Sequence, residues 1–149
     1  MHTLDILRLE KKFLHWGHDI TSENNPFEAG LTFAGNFKKD TDFIGRKALE
    51  RIRDIKPKKK LELFSLKNNL MPGNPLLLHD EPIFYKGEVI GSTTSSNYSF
   101  CYKKNICLAY VKGDLKNYEG LTLEVEGEKY ALNHEKFPLH DPKSINLRN

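Results

Sequence analysis

The chain has no apolar run approaching the ~20 residues that cross a bilayer, and its start lacks the basic, apolar and small-residue succession of a secretory signal. A soluble, cytoplasmic protein is therefore expected. Cysteine is scarce. Cys101 and Cys107 fall in one strand-like stretch without zinc-ligand spacing, which predicts reduced, buried or half-buried thiols and no disulfide framework. No Gly-rich phosphate loop, Ser-His-Asp arrangement or Cys-His pair is present, so nucleotide-binding and hydrolase chemistries lack their residues. His15, His18 and Asp19 have the residue types of a metal site but no third ligand at suitable spacing, so no metal is expected.

What is present is a chain of 149 residues, 38% hydrophobic and 29% charged, long enough for one real core with a smaller appendage. The net charge of +3 is too small to indicate nucleic-acid binding. Its cationic residues concentrate at Arg46, Lys47, Arg51, Arg53, Lys56, Lys58, Lys59 and Lys60, interrupted by Glu50 and Asp54. The plain reading is a solvated helix end running into a linker; the sharper one is a patch for an anionic tail or a partner protein. No aromatic side chain is interleaved with the run, so nucleic acid ranks last as a partner.

Leu4, Leu7 and Leu14, with Ile6, Leu9 and Phe13, recur at spacings of three, four and seven, which predicts a short helix, N-capped at Thr3 and stopped by Gly17 near Trp16. A helix this apolar needs cover from elsewhere and predicts self-association. Residues 21–36 read as loop and short extended segments, and Asp42 is the expected cap of a second helix carrying Ile44, Ala48, Leu49 and Ile52 before Pro57 ends it. Lys56 to Lys60 reads as a linker. Beyond it the period falls to two: Leu61 to Leu66, Ile83 to Tyr85, Val89-Ile90, Ile106 to Val111, Leu121 to Val125 and Tyr130 to Leu132 read as strands, with turns at Lys86-Gly87 and Glu126-Gly127. The expected fold is α+β, mainly β: a small antiparallel β-barrel of about six strands after a short helical fragment. The tail after Pro138 is expected to be ordered only where docked.

The segment from Leu7 through Arg8-Leu9-Glu10 and Trp16-Gly17-His18-Asp19 to Ile20, followed by Asn25-Pro26-Phe27-Glu28-Ala29-Gly30-Leu31, resembles part of a known enzyme family. The resemblance is to the C-terminal half of the tetrahydrofolate-dependent aminomethyltransferases, which are the glycine cleavage T-proteins, and of the folate-linked dimethylglycine and sarcosine dehydrogenases. It continues in order through Asp42 to Leu49, Leu76 to Tyr85, Gly87 to Ser95 and Ile106 to Val111, and Trp16 to Asp19 looks closer to the dehydrogenases. The family's paired glycines are replaced by Ser96 and Asn97, and another by Lys103, which predicts a reshaped loop between Ser96 and Asn105. A family arginine near the C-terminus gives way to Leu139-His140-Asp141.

The resemblance implies a remnant of the folate-binding domain over residues 1–56 and the C-terminal aminomethyltransferase barrel over 57–149. It also implies tetrahydrofolate as cofactor and transfer of a one-carbon unit from an amine. Arg8, Phe33 and Glu28 stand at the folate-binding positions: Arg8 as a fork for carbonyl or carboxylate oxygens, Phe33 as a stacking face, Glu28 as support for Arg8 or a cap for backbone donors. The plain alternatives are a helix arginine paired with Glu10 or Asp5, and core packing for Phe33. The family's catalytic carboxylates lie upstream of the matching segment, so no catalytic residue is assigned. The chain alone is expected to be inactive, with the missing half on another chain or the chain forming a homo-oligomer. The rival expectation is a non-catalytic interaction module that keeps the barrel and docks a partner protein. Its basic segment could equally meet a polyglutamylated folate tail.

Overall fold

In the computed structural model, which describes residues 2–35, 37–38, 41–68, 71–146 and 148, the period-two segments become β1 (Lys59–Leu66), β2 (Pro82–Tyr85), β3 (Glu88–Ser99), β4 (Lys104–Lys112), β5 (Thr122–Val125) and β6 (Glu128–His134). They pair antiparallel in the cyclic order β1-β4-β3-β2-β5-β6. Pairing of Phe64 with His134 and Leu66 with Leu132 brings β6 back to β1 and closes the barrel. Closure removes the exposed strand edge that an open sheet would offer to another chain. The turns fall as the sequence predicts: Lys86 and Gly87 have φ of 51° and 87°, and Glu126 and Gly127 have 51° and 83°. Two successive positive φ values match the twist of the flanking strands.

Alternation along β1 and β4 builds two cores. Phe64, Leu66, Cys107, Ala109 and Val111 fill the lumen with Ile83, Leu121, Leu123 and Leu132. Leu61, Leu63, Ile106 and Leu108 face outward, where Leu9, Leu14, Ile20 and Leu139 cover them. These two strands are therefore apolar on both faces, like strands of a covered sheet.

The cover comes from α1 (His2–Glu10), which ends well before the expected stop at Trp16 and contains Thr3 rather than being capped by it. Lys12 takes φ 56°, the Phe13 amide donates to the Arg8 carbonyl (2.7 Å), and the Lys12 amide donates to the Leu9 carbonyl (2.9 Å). This is a Schellman closure with lysine in the position where glycine is usual. The second helix, α2 (Arg46–Ile52), starts after Gly45 rather than Asp42, leaving Ile44 outside it and exposed. It also ends before Pro57 exerts any effect. Part of the expected linker is strand, since Lys59 and Lys60 pair with Lys112 and Val111. Gly113 closes that end: its amide donates to the Lys58 carbonyl, and an added Cβ would sit 1.9 Å from the Pro57 carbonyl oxygen.

The β3–β4 hairpin is not disrupted by its substitutions. Ser96 and Asn97 pair regularly with Cys107 and Ile106, and Lys103 itself adopts φ 52°. Cys107 is buried as expected, whereas Cys101 is exposed in the turn. The tail is docked: Lys11 Nζ reaches the Asp141 carbonyl (2.6 Å) and carboxylate (3.0 Å), and the His140 amide donates to the Glu10 carbonyl. No helix among the described residues is long and apolar enough to cross a membrane.

Candidate functional site

Strand β3 carries two irregularities, one against β2 at Ile90 and one against β4, and the site is built on the second. Thr93 lies opposite Ala109 and Ser95 opposite Leu108, so Thr94 is an extra residue. A bulge of this kind re-aims side chains that strict alternation would send to opposite faces. Thr94 and Ser95 accordingly both address the N-terminal layer: Thr94 Oγ1 donates to Asp19 Oδ1 (2.6 Å), and Ser95 Oγ accepts from Arg8 Nη2 (2.9 Å).

Asp19 is 1% exposed. Besides Thr94, its carboxylate accepts from Arg8 Nη1 (2.7 Å) and the His15 amide (2.8 Å). Arg8 is further held by Asp5 at 3.0 Å through Nε, so its fork is fixed on three sides. A buried ion pair of this kind stabilises only because nearly every polar atom has a partner. Two residues further along α1, Glu10 (2% exposed) accepts from Ser99 Oγ at 2.6 Å. The Arg8-Leu9-Glu10 motif thus sends two charged side chains to β3 and one leucine to the outer core.

Between this network and the segment before β2 lies a cleft of about 500 Å³. Leu4, Leu76, Leu77 and Tyr98 supply apolar wall, while Arg8, His15, His18, Ser95 and Asn105 bring polar groups. His15 and His18 stack with ring centroids 4.7 Å apart, and both rings are exposed. Asn105 is 2% exposed, and its amide nitrogen is buried without a hydrogen-bond partner.

Of the three expected folate contacts, only Arg8 lines the cleft. Its partners are Asp5 and Asp19, the second of which the plain pairing with Asp5 or Glu10 did not include. Phe33 stands 80% exposed in the 3₁₀ turn Thr32–Ala34, so core packing does not account for it. Glu28 accepts from the Asn25 amide (3.3 Å), and its own carbonyl accepts from Leu61 of β1, so it caps backbone donors in its loop. Trp16 is 67% exposed. Asn105 escaped the sequence reading. Its signal was an amide at an inward position in register with Cys107, Ala109 and Val111, where every other side chain is small or apolar.

A second polar cluster ties the layers together. Glu62 accepts from Tyr118 (3.1 Å), pairs with His134 Nε2 (3.1 Å) and lies 3.4 Å from Lys12 Nζ. Burial acts to raise its pKa, but the His134 hydrogen bond, the Lys12 and His134 charges and the Tyr118 hydrogen bond outweigh it and hold the carboxyl below the usual carboxylate value. Tyr118 is pushed up to about 12, by burial first and then by Glu62. Tyr110 also rises to about 12, through burial and the charges of Glu28 and Asp19. Burial alone takes the Cys107 thiol to about 12, so it is no nucleophile. Among the described residues no group of three or more His, Cys, Asp or Glu could hold a metal ion.

Residues 60–141 match the glycine cleavage T-protein C-terminal barrel domain, and residues 1–39 match the GCVT N-terminal domain. Mouse mitochondrial dimethylglycine dehydrogenase is 37% identical over 99% of this chain, which spans only 17% of that protein. The aminomethyltransferase of Symbiobacterium thermophilum is 42% identical over 72% of the chain and 27% of its own length. The crystal structure of the glycine cleavage system aminomethyltransferase T from Bartonella henselae superposes on 93% of the chain with TM-score 0.78 and 25% identity, and 38% of that structure is covered.

Proposed function

Because the chain belongs to the glycine cleavage T-protein family, we propose that it forms one wall of a tetrahydrofolate site in a one-carbon transferase, with residues 1–56 as folate-domain edge and 57–149 as the barrel that closes it. The observation that carries this reading is the Arg8 fork, fixed by Asp5, Asp19 and Ser95 at the mouth of the cleft. A preset guanidinium loses little entropy on meeting a ligand oxygen. The residues present suit the cofactor: apolar wall for a flat ring system, and an orphaned Asn105 amide for an acceptor atom.

When bound, tetrahydrofolate supplies the nitrogen that receives the one-carbon unit. On this reading Arg8 orients the cofactor at the cleft, Phe33, outside the cleft, offers an exposed aromatic face to the part of the cofactor that projects from it, and Glu28 holds the loop before Phe33. No carboxylate here is assigned to the transfer step, so activity requires an upstream GCVT half. That half would cover the exposed Leu4, Leu7, Phe13 and Trp16. Exposed apolar side chains of this size, four within residues 4–16, mark an interaction surface.

Titration calorimetry with tetrahydrofolate tests the reading, and Phe33→Ala is a cleaner control than Arg8→Ala, which would strand Asp19. Micromolar binding weakened in Phe33→Ala is expected. Absence of binding to the folded chain, both alone and mixed with an upstream GCVT half, would overturn it.

A further inference from the structure

The turn between β3 and β4 carries side chains that neither core uses. Phe100 is 63% exposed, and Cys101, Tyr102 and Lys103 after it are exposed as well. The segment after β6 is tied to this turn at two points: Lys104 Nζ lies 3.3 Å from Glu135 Oε1, and Tyr102 Oη lies 3.3 Å from His140 Nδ1. Between those ties stands Phe137, 62% exposed, and beyond them the exposed Ile145, whose amide donates to Asp141. Charge at this end is one-sided. Residues 98–104 and 135–146 contain four lysines, Lys103, Lys104, Lys136 and Lys143, against two carboxylates, Glu135 and Asp141. Both carboxylates are taken: Glu135 accepts from Ser65 Oγ (2.6 Å) and Lys104, and Asp141 accepts from Lys11 (3.0 Å). Lys103, Lys136 and Lys143 are exposed and make no ion pair among the described residues.

We propose that this end of the molecule seats peripherally on an anionic lipid bilayer, with Phe100, Phe137 and Ile145 entering the boundary between headgroups and acyl chains and Lys103, Lys136 and Lys143 meeting lipid phosphates. Apolar side chains gain by leaving water for that boundary, while lysines lay their stems along it and keep their ammonium groups at headgroup level. Each unpaired lysine adds attraction to an anionic leaflet, and the attraction fades within a Debye length. Three apolar side chains alone are a weak anchor, so binding needs both terms. Single-stranded nucleic acid also joins rings to cations, but it needs open ring faces for its bases. Here Lys136 Nζ already stands over the Phe137 ring at 5.6 Å, Phe100 meets Tyr98 edge to face at 5.1 Å, and Ile145 has no π face. The surface therefore suits a bilayer better. This inference does not draw on the folate reading, which stands or falls separately.

The test uses the whole chain and vesicles of two compositions, phosphatidylcholine alone and phosphatidylcholine with phosphatidylglycerol, in cosedimentation at low and high salt. A polarity-sensitive fluorophore on Cys101, the exposed thiol of the turn, gives a second readout, since Cys107 is buried. Binding to the phosphatidylglycerol vesicles alone, lost at high salt, with a blue shift of the Cys101 probe, is the expected result. Phe100→Ser combined with Phe137→Ser should weaken partitioning about tenfold, and Lys103→Glu combined with Lys136→Glu should do the same. All four positions are exposed, and an unchanged denaturation midpoint checks that each variant folds. Lys47→Glu combined with Arg51→Glu, on the exposed cationic face of α2, should leave partitioning as it was. If that α2 variant abolishes binding while the turn variants keep it, or if the Cys101 probe stays in water on bound vesicles, the assignment is overturned. Failure of the parent chain to bind anionic vesicles overturns it too. Binding of oligouridylate that the turn variants weaken, with no binding to vesicles, would give the surface to single-stranded nucleic acid instead.

Discussion

Inside the barrel, Phe64, Ile83 and Leu123 are fully buried among apolar neighbours; on its outer face, Asp19 and Glu10 are buried just as deeply, at 1% and 2% exposure, among charges and hydroxyls. The lumen draws its stability from area removed from water, shared over many side chains and tolerant of small errors in any one. The outer layer depends on named atoms meeting at 2.6–2.9 Å across α1, the turn at His15 and the bulge at Thr94. Each ion there leans on a few named partners, so a single deletion removes much of its compensation. The side of the molecule that shapes the cleft is therefore the less forgiving one.

The contrast breaks most visibly at Asp19. Asp19→Ala takes from the Arg8 guanidinium its buried partner, leaving only the half-exposed Asp5, and should cost up to about 3–5 kcal/mol, the penalty for half of a buried pair. Urea unfolding gives the total. Hydrogen exchange locates it: α1 and residues 13–20 should lose protection while β4 and β5 keep theirs. Leu123→Ala in the lumen should cost about 2–5 kcal/mol by cavity formation, with protection falling around the whole barrel. Equal loss of protection in both regions for both variants would show that the two layers unfold as one.

A smaller effect tests the seam between the layers, where Glu62 meets Lys12, His134 and Tyr118. The folded pKa of Glu62 is depressed, so its contribution is present above the ordinary carboxylate pKa and lost as pH falls through the folded value. Glu62→Gln should cost about 1.5–3 kcal/mol near neutrality, the range of charged hydrogen bonds. The difference from the parent should shrink below about pH 4. A constant difference from pH 7 to 3 in chemical denaturation would remove Glu62 from the acid limb. Tyr118 and Tyr110 act at the other extreme: their raised values favour the neutral phenols, and that stability is lost as pH rises from their ordinary 10 towards 12.

The sequence made the lumen legible because its physics is periodic. Phe64 and Leu66 alternate with Leu61 and Leu63, and lysine-glycine and glutamate-glycine pairs mark the turns, so strand type and hairpins follow from local spacing. The outer layer is not periodic. Arg8 meets Asp19 11 residues on and Ser95 87 residues on, and the second contact exists only because Thr94 is an extra residue in β3. No short-range pattern encodes that bulge. The end of α1 was misplaced for a related reason: the apolar spacing runs on through Phe13 and Leu14, while the stop lies in the backbone of Lys12, a residue with no turn signature. The position of Arg8 came through resemblance, and its pairing came from the fold.

Lys103 supplies the smallest and sharpest test of that division. It holds φ 52° in the β3–β4 hairpin, a conformation that costs a side-chain-bearing residue about 1 kcal/mol and glycine almost nothing. Glycine also gains freedom in the unfolded chain, which offsets part of the relief. Lys103→Gly should therefore stabilise by at most about 1 kcal/mol, seen as a small rise in denaturation midpoint with an unchanged slope. The hairpin belongs to both regions, since Cys107 opposite Ser96 faces the lumen and Ile106 opposite Asn97 faces α1. If the gain is real, exchange at Ser99 and Lys104 should slow while the Arg8 and Asp19 contacts stay as they are. A loss of stability would mean that the lysine side chain, not the backbone angle, holds this turn.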